Sequence, residues 1–360
     1  MTRSYALAAL PRAKISVIAS EGTWQMFLSS MTSGGLARVA SVARTAASTI
    51  AALVLAGCAS VVPIVDHHQH VFSPSMAALL TTAERPFPEV SAQDIVAELD
   101  KAGIRRAVLL STAYLHGAPG RAGDDTLVKV RAENDWTAAQ ATLHPERLVA
   151  FCGFNPLADY ALAELERCAR DPALRRGIKL HFANSDVQLD DPLHVATLQR
   201  VFAAANSNRM AIVVHLRASI SRKRPYGAVQ ARAFLDAVMP FAADVPVQIA
   251  HLAGSGPGYD DPAAQQAMAE FAAAIERGEP TTRRLHFDVA SIVDAEISPA
   301  TAAIVVGFIR GVGPRRVLYG SDAPAATNLR PRESWAAFRR LPLTDDELAT
   351  IGANVAPYLQ

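Results

Sequence analysis

Residues 211–215 read AIVVH and residues 245–252 read VPVQIAHL, and the segment between them, Ala228–Val238, has helix-period apolar spacing. Ile212, Val213 and Val214 place apolar groups on both faces of an extended chain, as strands covered on both sides of a parallel sheet do. Each run closes on or beside a histidine, His215 and His251. The alternation continues in both directions. Upstream, strand-length runs lie at 63–70, 107–111, 148–153 and 177–181, separated by helix-period segments at 91–102, 125–143, 159–169 and 194–205. Downstream come a helix at 262–276, a strand at 285–290, a helix at 299–310 and a strand at 316–320. Eight strands alternating with helices predict an α/β fold, a TIM barrel, with an open doubly wound sheet as the alternative. Neither a G-x-G-x-x-G nor a P-loop follows an early strand, which weakens the nucleotide-binding alternative.

The 360 residues are half hydrophobic and only 6% aromatic, with 35 Lys+Arg against 34 Asp+Glu. That composition excludes a disordered chain. A net charge of +1 leaves no basic excess for nucleic acid. The 3 Cys are odd in number and form no C-x-x-C pair. Cys152 and Cys168 are therefore expected as small buried hydrophobes, outside any disulfide framework.

The beginning of the chain reads differently. Thr45–Gly57 is an apolar run too short for a span of about 20 residues. Arg38 and Arg44 precede it, and Leu55-Ala56-Gly57-Cys58 ends it. This order resembles a bacterial signal peptide with a lipobox, in which Cys58 would carry the lipid. Residues 1–58 are thus expected to be an export segment, with a more ordinary start near Met26 or Met31, and residues 59–360 the barrel domain. The expected location is a lipid-anchored protein facing the periplasm or the cell surface, its membrane contact made only through Cys58.

The polar residues gather at strand ends. His68 and His70 end the first strand, His215 the fifth and Asp322 the eighth, while His251 nearly ends the sixth. In a TIM barrel those ends share one face, where active sites are built. The period-two rule points His68 and His70 to one side and His67 to the other. Any one of these residues alone reads as an ordinary satisfied polar group. Together they read as a metal site.

Asp66-His67-His68-Gln69-His70, Lys179-Leu180-His181, His215, His251 and Gly320-Ser321-Asp322 resemble the amidohydrolase superfamily. Glu133-Asn134-Asp135 and His144-Pro145-Glu146-Arg147-Leu148 are similar to its amidohydrolase-related (amidohydrolase 2) branch. The resemblance runs from Asp66 to Leu359. It implies a distorted (β/α)8 barrel holding a divalent metal, most often Zn(2+), one or two per chain. His68, His70 and His215 would be ligands, and Asp322 would bind the metal and act as proton shuttle. His251 would polarise the scissile carbonyl, or bind a second metal. Asp66 would either accept a hydrogen bond from a ligating imidazole or stabilise the start of its strand. Lys179 has three open roles: a carboxylated bridge between two metals, a cation facing substrate, or a structural ion pair. His181 and Arg217 are expected substrate contacts; His116, Tyr114, Arg121, Asn155 and Ser291 are weaker rim candidates, and His286 is expected to be structural.

The leading expectation is a metal-dependent hydrolase of a small amide, lactone or ester-like substrate. The alternative is a zinc-dependent non-oxidative decarboxylase of a small aromatic or unsaturated acid, because the same branch contains both with nearly the same ligands. A silent binding protein would have no need of four aligned strand ends. Relatives of this kind are often homodimers, but no interface is marked in the sequence.

Overall fold

The first strand, β1 (Val65–Gln69), is buried along its whole length although it reads VDHHQ. A strand that polar is tolerated inside a protein when its groups find partners, and here all of its side-chain polar atoms but Gln69 Oε1 have one. It lies between β2 (Arg106–Leu110) and the chain just beyond the last strand. The computed structural model describes residues 61–256, 258–294, 296–323 and 328–360. The expected export segment, with Met26, Met31 and Cys58, falls outside them. Among the described residues no helix is long and apolar enough to cross a membrane.

The remaining strands are β3 (Leu148–Gly153), β4 (Gly177–His181), β5 (Ala211–His215), β6 (Val247–Ile249), β7 (Leu285–Asp288) and β8 (Val317–Leu318). They pair in sequence order, each parallel to the next. The loop after β8 then returns to β1: His67 N–H donates to Tyr319 O at 2.9 Å, and Asp322 N–H to His68 O at 2.8 Å. The result is a nearly closed α/β barrel of eight parallel strands, as the alternation predicts. Gly320 permits this closure, because a Cβ there would stand 2.7 Å from the Cβ of His68.

Two apolar assemblies hold the barrel. One packs the helices on the outer face of the strands, with Ile178, Leu180, Ile212, Val214, Phe271 and Phe287 among its members. The other fills the barrel interior: Val65, Val108, Leu110, Val149, Phe151, Ala211 and Val213 converge there with Leu359 from the end of the chain. Layers of branched side chains of this kind make a TIM barrel a packed core and not a pore.

Helix limits follow local chemistry. Ala92–Ala102 opens on a complete capping box between Ser91 and Asp94 and stops at Gly103, whose φ is +72°. Pro192–Ser207 and Pro262–Glu276 each start on proline behind an aspartate cap, Asp191 and Asp261. Strand six is shorter than expected. His251, Leu252 and Ala253 all have positive φ, so the chain leaves the sheet after Ile249.

The expectation for two cysteines is corrected. Cys152 on β3 and Cys168 on the helix Ala161–Arg170 form a disulfide. Both side chains are buried, as expected, but the helix lays Cys168 against the strand, a tertiary contact that sequence spacing does not reveal.

Candidate metal centre

β1 delivers two imidazoles to one point. The His68 and His70 rings stand 5.2 Å apart, and both face Asp322: His70 Nε2 is 3.1 Å and His68 Nε2 3.5 Å from Asp322 Oδ1. His67 points away, as alternation requires. Its Nδ1 meets Tyr319 O at 2.9 Å, and its Nε2 accepts from Ala356 N–H at 3.2 Å.

In three imidazoles Nδ1 is committed to an acceptor. His68 Nδ1 meets Asp288 Oδ2 at 3.0 Å, His70 Nδ1 meets Leu110 O at 2.6 Å, and His251 Nδ1 meets Ala290 O at 2.8 Å. A carbonyl or carboxylate requires N–H there, which leaves each Nε2 as a lone-pair donor. Donor atoms of His68, His251 and Asp322 all lie within 4.8 Å of one another. Donors around a four-coordinate ion at 2.0–2.1 Å stand roughly 3.3 Å apart, and the two imidazole–carboxylate separations at Asp322, 3.5 and 3.1 Å, lie on either side of that figure. Two imidazole nitrogens, of His68 and His251, and the Asp322 carboxylate thus form a donor set of the kind a divalent cation takes, with His70 Nε2 beside Asp322 and zinc among the ions suited by chemistry.

The backbone is strained where it presents these groups. His251, Ser291 and Asp322, at the ends of β6, β7 and β8, have φ of 56°, 51° and 58°. Left-handed conformations cost non-glycine residues about 1–3 kcal/mol each and concentrate at functional sites.

Burial alone would raise the Asp322 carboxyl. The imidazoles of His68, His70 and His251 outweigh it and hold the group well below the usual carboxylate range. Asn328 Nδ2 donates to Asp322 Oδ2 at 2.8 Å and Ser291 Oγ at 3.4 Å, which fixes the carboxylate plane. Asp288 is likewise held low, because His68 and His251 overcome the effect of burial. Its Oδ2 also accepts from Gln248 Nε2 at 2.7 Å, and its Oδ1 from the N–H groups of His251 at 2.8 Å and Ala290 at 3.1 Å.

Lys179 projects inward from β4 and is 1% exposed. Its Nζ lies 3.2 Å from His68 Nε2, the lone pair that a metal ion would also use. Burial pulls the ammonium down to about 8, against the upward pull of Asp288 and Asp322. Burial, then the Lys179 charge, pushes His68 down to about 3.

His215 and His181 stand in register across β5 and β4 and stack with ring centroids 3.8 Å apart at 14°. His215 also meets His251 edge-on at 5.2 Å, and Tyr114 packs on His181 at 4.9 Å. Burial holds both imidazoles well below the ordinary histidine range. Arg217 does not stand free: its Nε pairs with Asp261 at 2.7 Å, and its guanidinium lies over the Tyr226 ring at 4.8 Å. Asp66 touches no ligating imidazole through its side chain. It accepts from the backbone N–H groups of His68 and Ser321, each at 3.1 Å, and from Gln69 Nε2 and Ser321 Oγ. Of its two expected roles, the structure shows the stabiliser of strand geometry.

Asp288, Gln248 and Asn328 are absent from the sequence reading. Asp288 and Gln248 did leave a signal, each a polar residue in the middle of a mostly apolar strand run, LHFDVA and VPVQIAHL. Asn328 lies in a loop and left none.

The family profile described as Amidohydrolase matches residues 65–354. No curated protein matches the chain. Among solved structures, the 5-carboxyvanillate decarboxylase LigW from Sphingomonas paucimobilis is similar at 17% identity and a TM-score of 0.56, over 81% of this chain and 96% of that one. The 2,6-dihydroxybenzoate decarboxylase from Rhizobium is similar at 16% identity and TM-score 0.56, over 81% and 96%. An amidohydrolase from Burkholderia multivorans with bound zinc is similar at 15% identity and TM-score 0.52, over 80% and 95%. At such identities the likeness establishes the fold.

Proposed function

The chain belongs to the amidohydrolase family, and from that premise we propose that it is a metal-dependent, non-oxidative decarboxylase of a small carboxylic acid. The observation that carries the reading is Lys179, a cation sealed beneath the imidazoles and within 3.2 Å of His68. An ammonium in a low-dielectric site attracts a substrate carboxylate strongly. The likeness to two decarboxylases of aromatic acids supports the same choice. Hydrolysis of an amide, lactone or ester is the second reading, favoured by Asp322 standing beside the ligand nitrogens, where a base for water is needed.

By the family resemblance His68, His70, His215 and Asp322 would hold the ion, with His251 beside it; the compact donor cluster of the structure is His68, His251 and Asp322, so His215 and His251 compete for one imidazole position. When bound, a divalent ion such as zinc supplies Lewis-acid polarisation of a substrate oxygen. Asp322 is the carboxylate placed to move a proton, because Asp288 already accepts four hydrogen bonds. In decarboxylation one proton goes to the carbon that loses its carboxylate. The C–C bond breaks with its electrons returning to the substrate's π system, and CO2 leaves. Lys179 and His181 would face the substrate. Arg217 would act through the loop that it ties to Asp261.

Metal analysis of the purified protein, followed by a panel of aromatic and unsaturated acids beside lactones and esters, tests the proposal. CO2 release from an acid by the metal-loaded protein is the expected result. Turnover of esters or lactones with no CO2 from any acid would sink the decarboxylase reading in favour of the hydrolase.

We also propose that the protein is exported. The disulfide supports this, because such bonds persist in oxidising compartments. A lipid on Cys58 would be its membrane contact. Cys58→Ser should release the protein from membranes, and unchanged association would remove the anchor from the proposal.

A further inference from the structure

The end of the chain is bonded into the barrel beneath the metal centre. Ala356 N–H donates to His67 Nε2, and Leu359 packs in the barrel interior. Tyr358 meets the Phe151 ring edge-on at 5.0 Å, and its Oη donates to Gln248 Oε1 at 2.6 Å. Gln248 Nε2 donates to Asp288 Oδ2 at 2.7 Å, and that same oxygen takes the Nδ1–H of His68 at 3.0 Å. A single chain of hydrogen bonds thus runs from the third-last residue to a candidate metal ligand. Gln248 and Asp288 are buried, so bulk solvent does not compete for these bonds. An amide between a phenol and a carboxylate has one satisfying orientation, oxygen toward the hydroxyl and nitrogen toward the carboxylate. The hydroxyl therefore fixes the amide, the amide fixes the carboxylate, and the carboxylate fixes the tautomer and plane of His68.

We propose that Tyr358 and Gln248 are positioning residues for His68, which makes the C-terminal turn a working part of the metal centre. The proposal rests on the metal reading given above. Partners of this kind typically contribute roughly 10–100-fold to metal affinity.

The test titrates metal-free protein with zinc against a chromophoric chelator and records the melting temperature of the same samples. Gln248→Leu should weaken zinc binding by roughly 10-fold or more. Tyr358→Phe keeps the ring and should weaken binding by a smaller factor. The double variant should bind no more weakly than Gln248→Leu alone, because both changes cut one chain. Wild-type affinity in either single variant, or losses that simply add, would overturn the proposal. If Gln248→Leu does not fold, Tyr358→Phe decides alone: unchanged zinc affinity at an unchanged melting temperature overturns it. If the wild type takes no zinc, the metal reading fails separately. Nitrogen-15 shifts of His68 then decide positioning. Nδ1–H is expected in the wild type and a tautomer mixture in the variant, and an unchanged tautomer would count against the proposal.

Discussion

Asp322 receives pull from three imidazoles and support from Asn328 and Ser291, so its ionised oxygen is fixed in direction. Asp322→Asn should lower kcat by about 10²–10⁴-fold, the usual worth of a placed proton carrier. Circular dichroism should be unchanged, and retained turnover would remove the assigned shuttle. The two rim imidazoles separate by readout. His215→Asn is expected to lose metal, whereas His251→Asn should keep it and lose turnover. The opposite pattern, read by metal analysis beside kinetics, would exchange their roles. The gathering of His68, His70, His215, His251 and Asp322 was legible because each lies in or shortly after a strand, but alternation fixes direction only on the strands themselves, since His251 and Asp322 stand beyond theirs in left-handed backbone. Asp288 was not, because its partner His68 lies on the far side of the chain in sequence and only barrel closure brings them to 3.0 Å. Arg217 shows the converse: a loop cation suited to a carboxylate found one in the protein itself, Asp261.

Among the elements, β1 and the loop after β8 approach so closely that one methyl group matters. Gly320→Ala would press on the Cβ of His68 at 2.7 Å. Overpacking of that kind costs about 1–3 kcal/mol. A lower urea midpoint together with weaker zinc binding is expected, and an unchanged midpoint would show that the barrel yields there. The bond from β3 to the helix Ala161–Arg170 closes a loop of 16 residues. Removing it in Cys152→Ala/Cys168→Ala should cost about 3 kcal/mol by the loop-entropy relation, read from denaturant midpoints of the oxidised wild type and the variant. Helices were legible from their apolar spacing, as at 91–102 and 262–276, and β3, β4 and β5 coincide with their strand-length runs. β6 was overextended because the left-handed backbone at His251–Ala253 follows from what the site needs, against local preference.

At the scale of the whole molecule, the buried histidines set the response to acid. Burial holds His67 and His286 at about 4 and His68 at about 3, against an ordinary value of 6.5. As pH falls from 6.5 toward 4, the unfolded chain binds protons that the folded chain refuses, so stability falls with acidification. For His67 alone the effect is on the order of 3 kcal/mol. Asp66 works the other way: burial raises it to about 6, so the folded chain binds that proton first and gains stability below pH 6. Three histidines against one carboxyl leave a net loss. The urea midpoint of metal-free protein should therefore drop between pH 7 and pH 5, and a constant or rising midpoint would contradict the assignment. The barrel itself was legible because eight buried strands and their helices repeat one unit. The interior packing of Leu359 was not, since nothing local marks a terminal turn as core.

The first strand finds its second neighbour only in residues 319–322, and its His67 takes a proton donor from Ala356. Synthesis runs in the opposite sense to this dependence. A ribosome that has released every metal-site side chain, Asp322 included, has still not released Ala356, Tyr358 or Leu359. The nascent chain therefore holds β1 without its second neighbour until residues 319–322 have emerged, so the barrel can close only after all eight strands have been made.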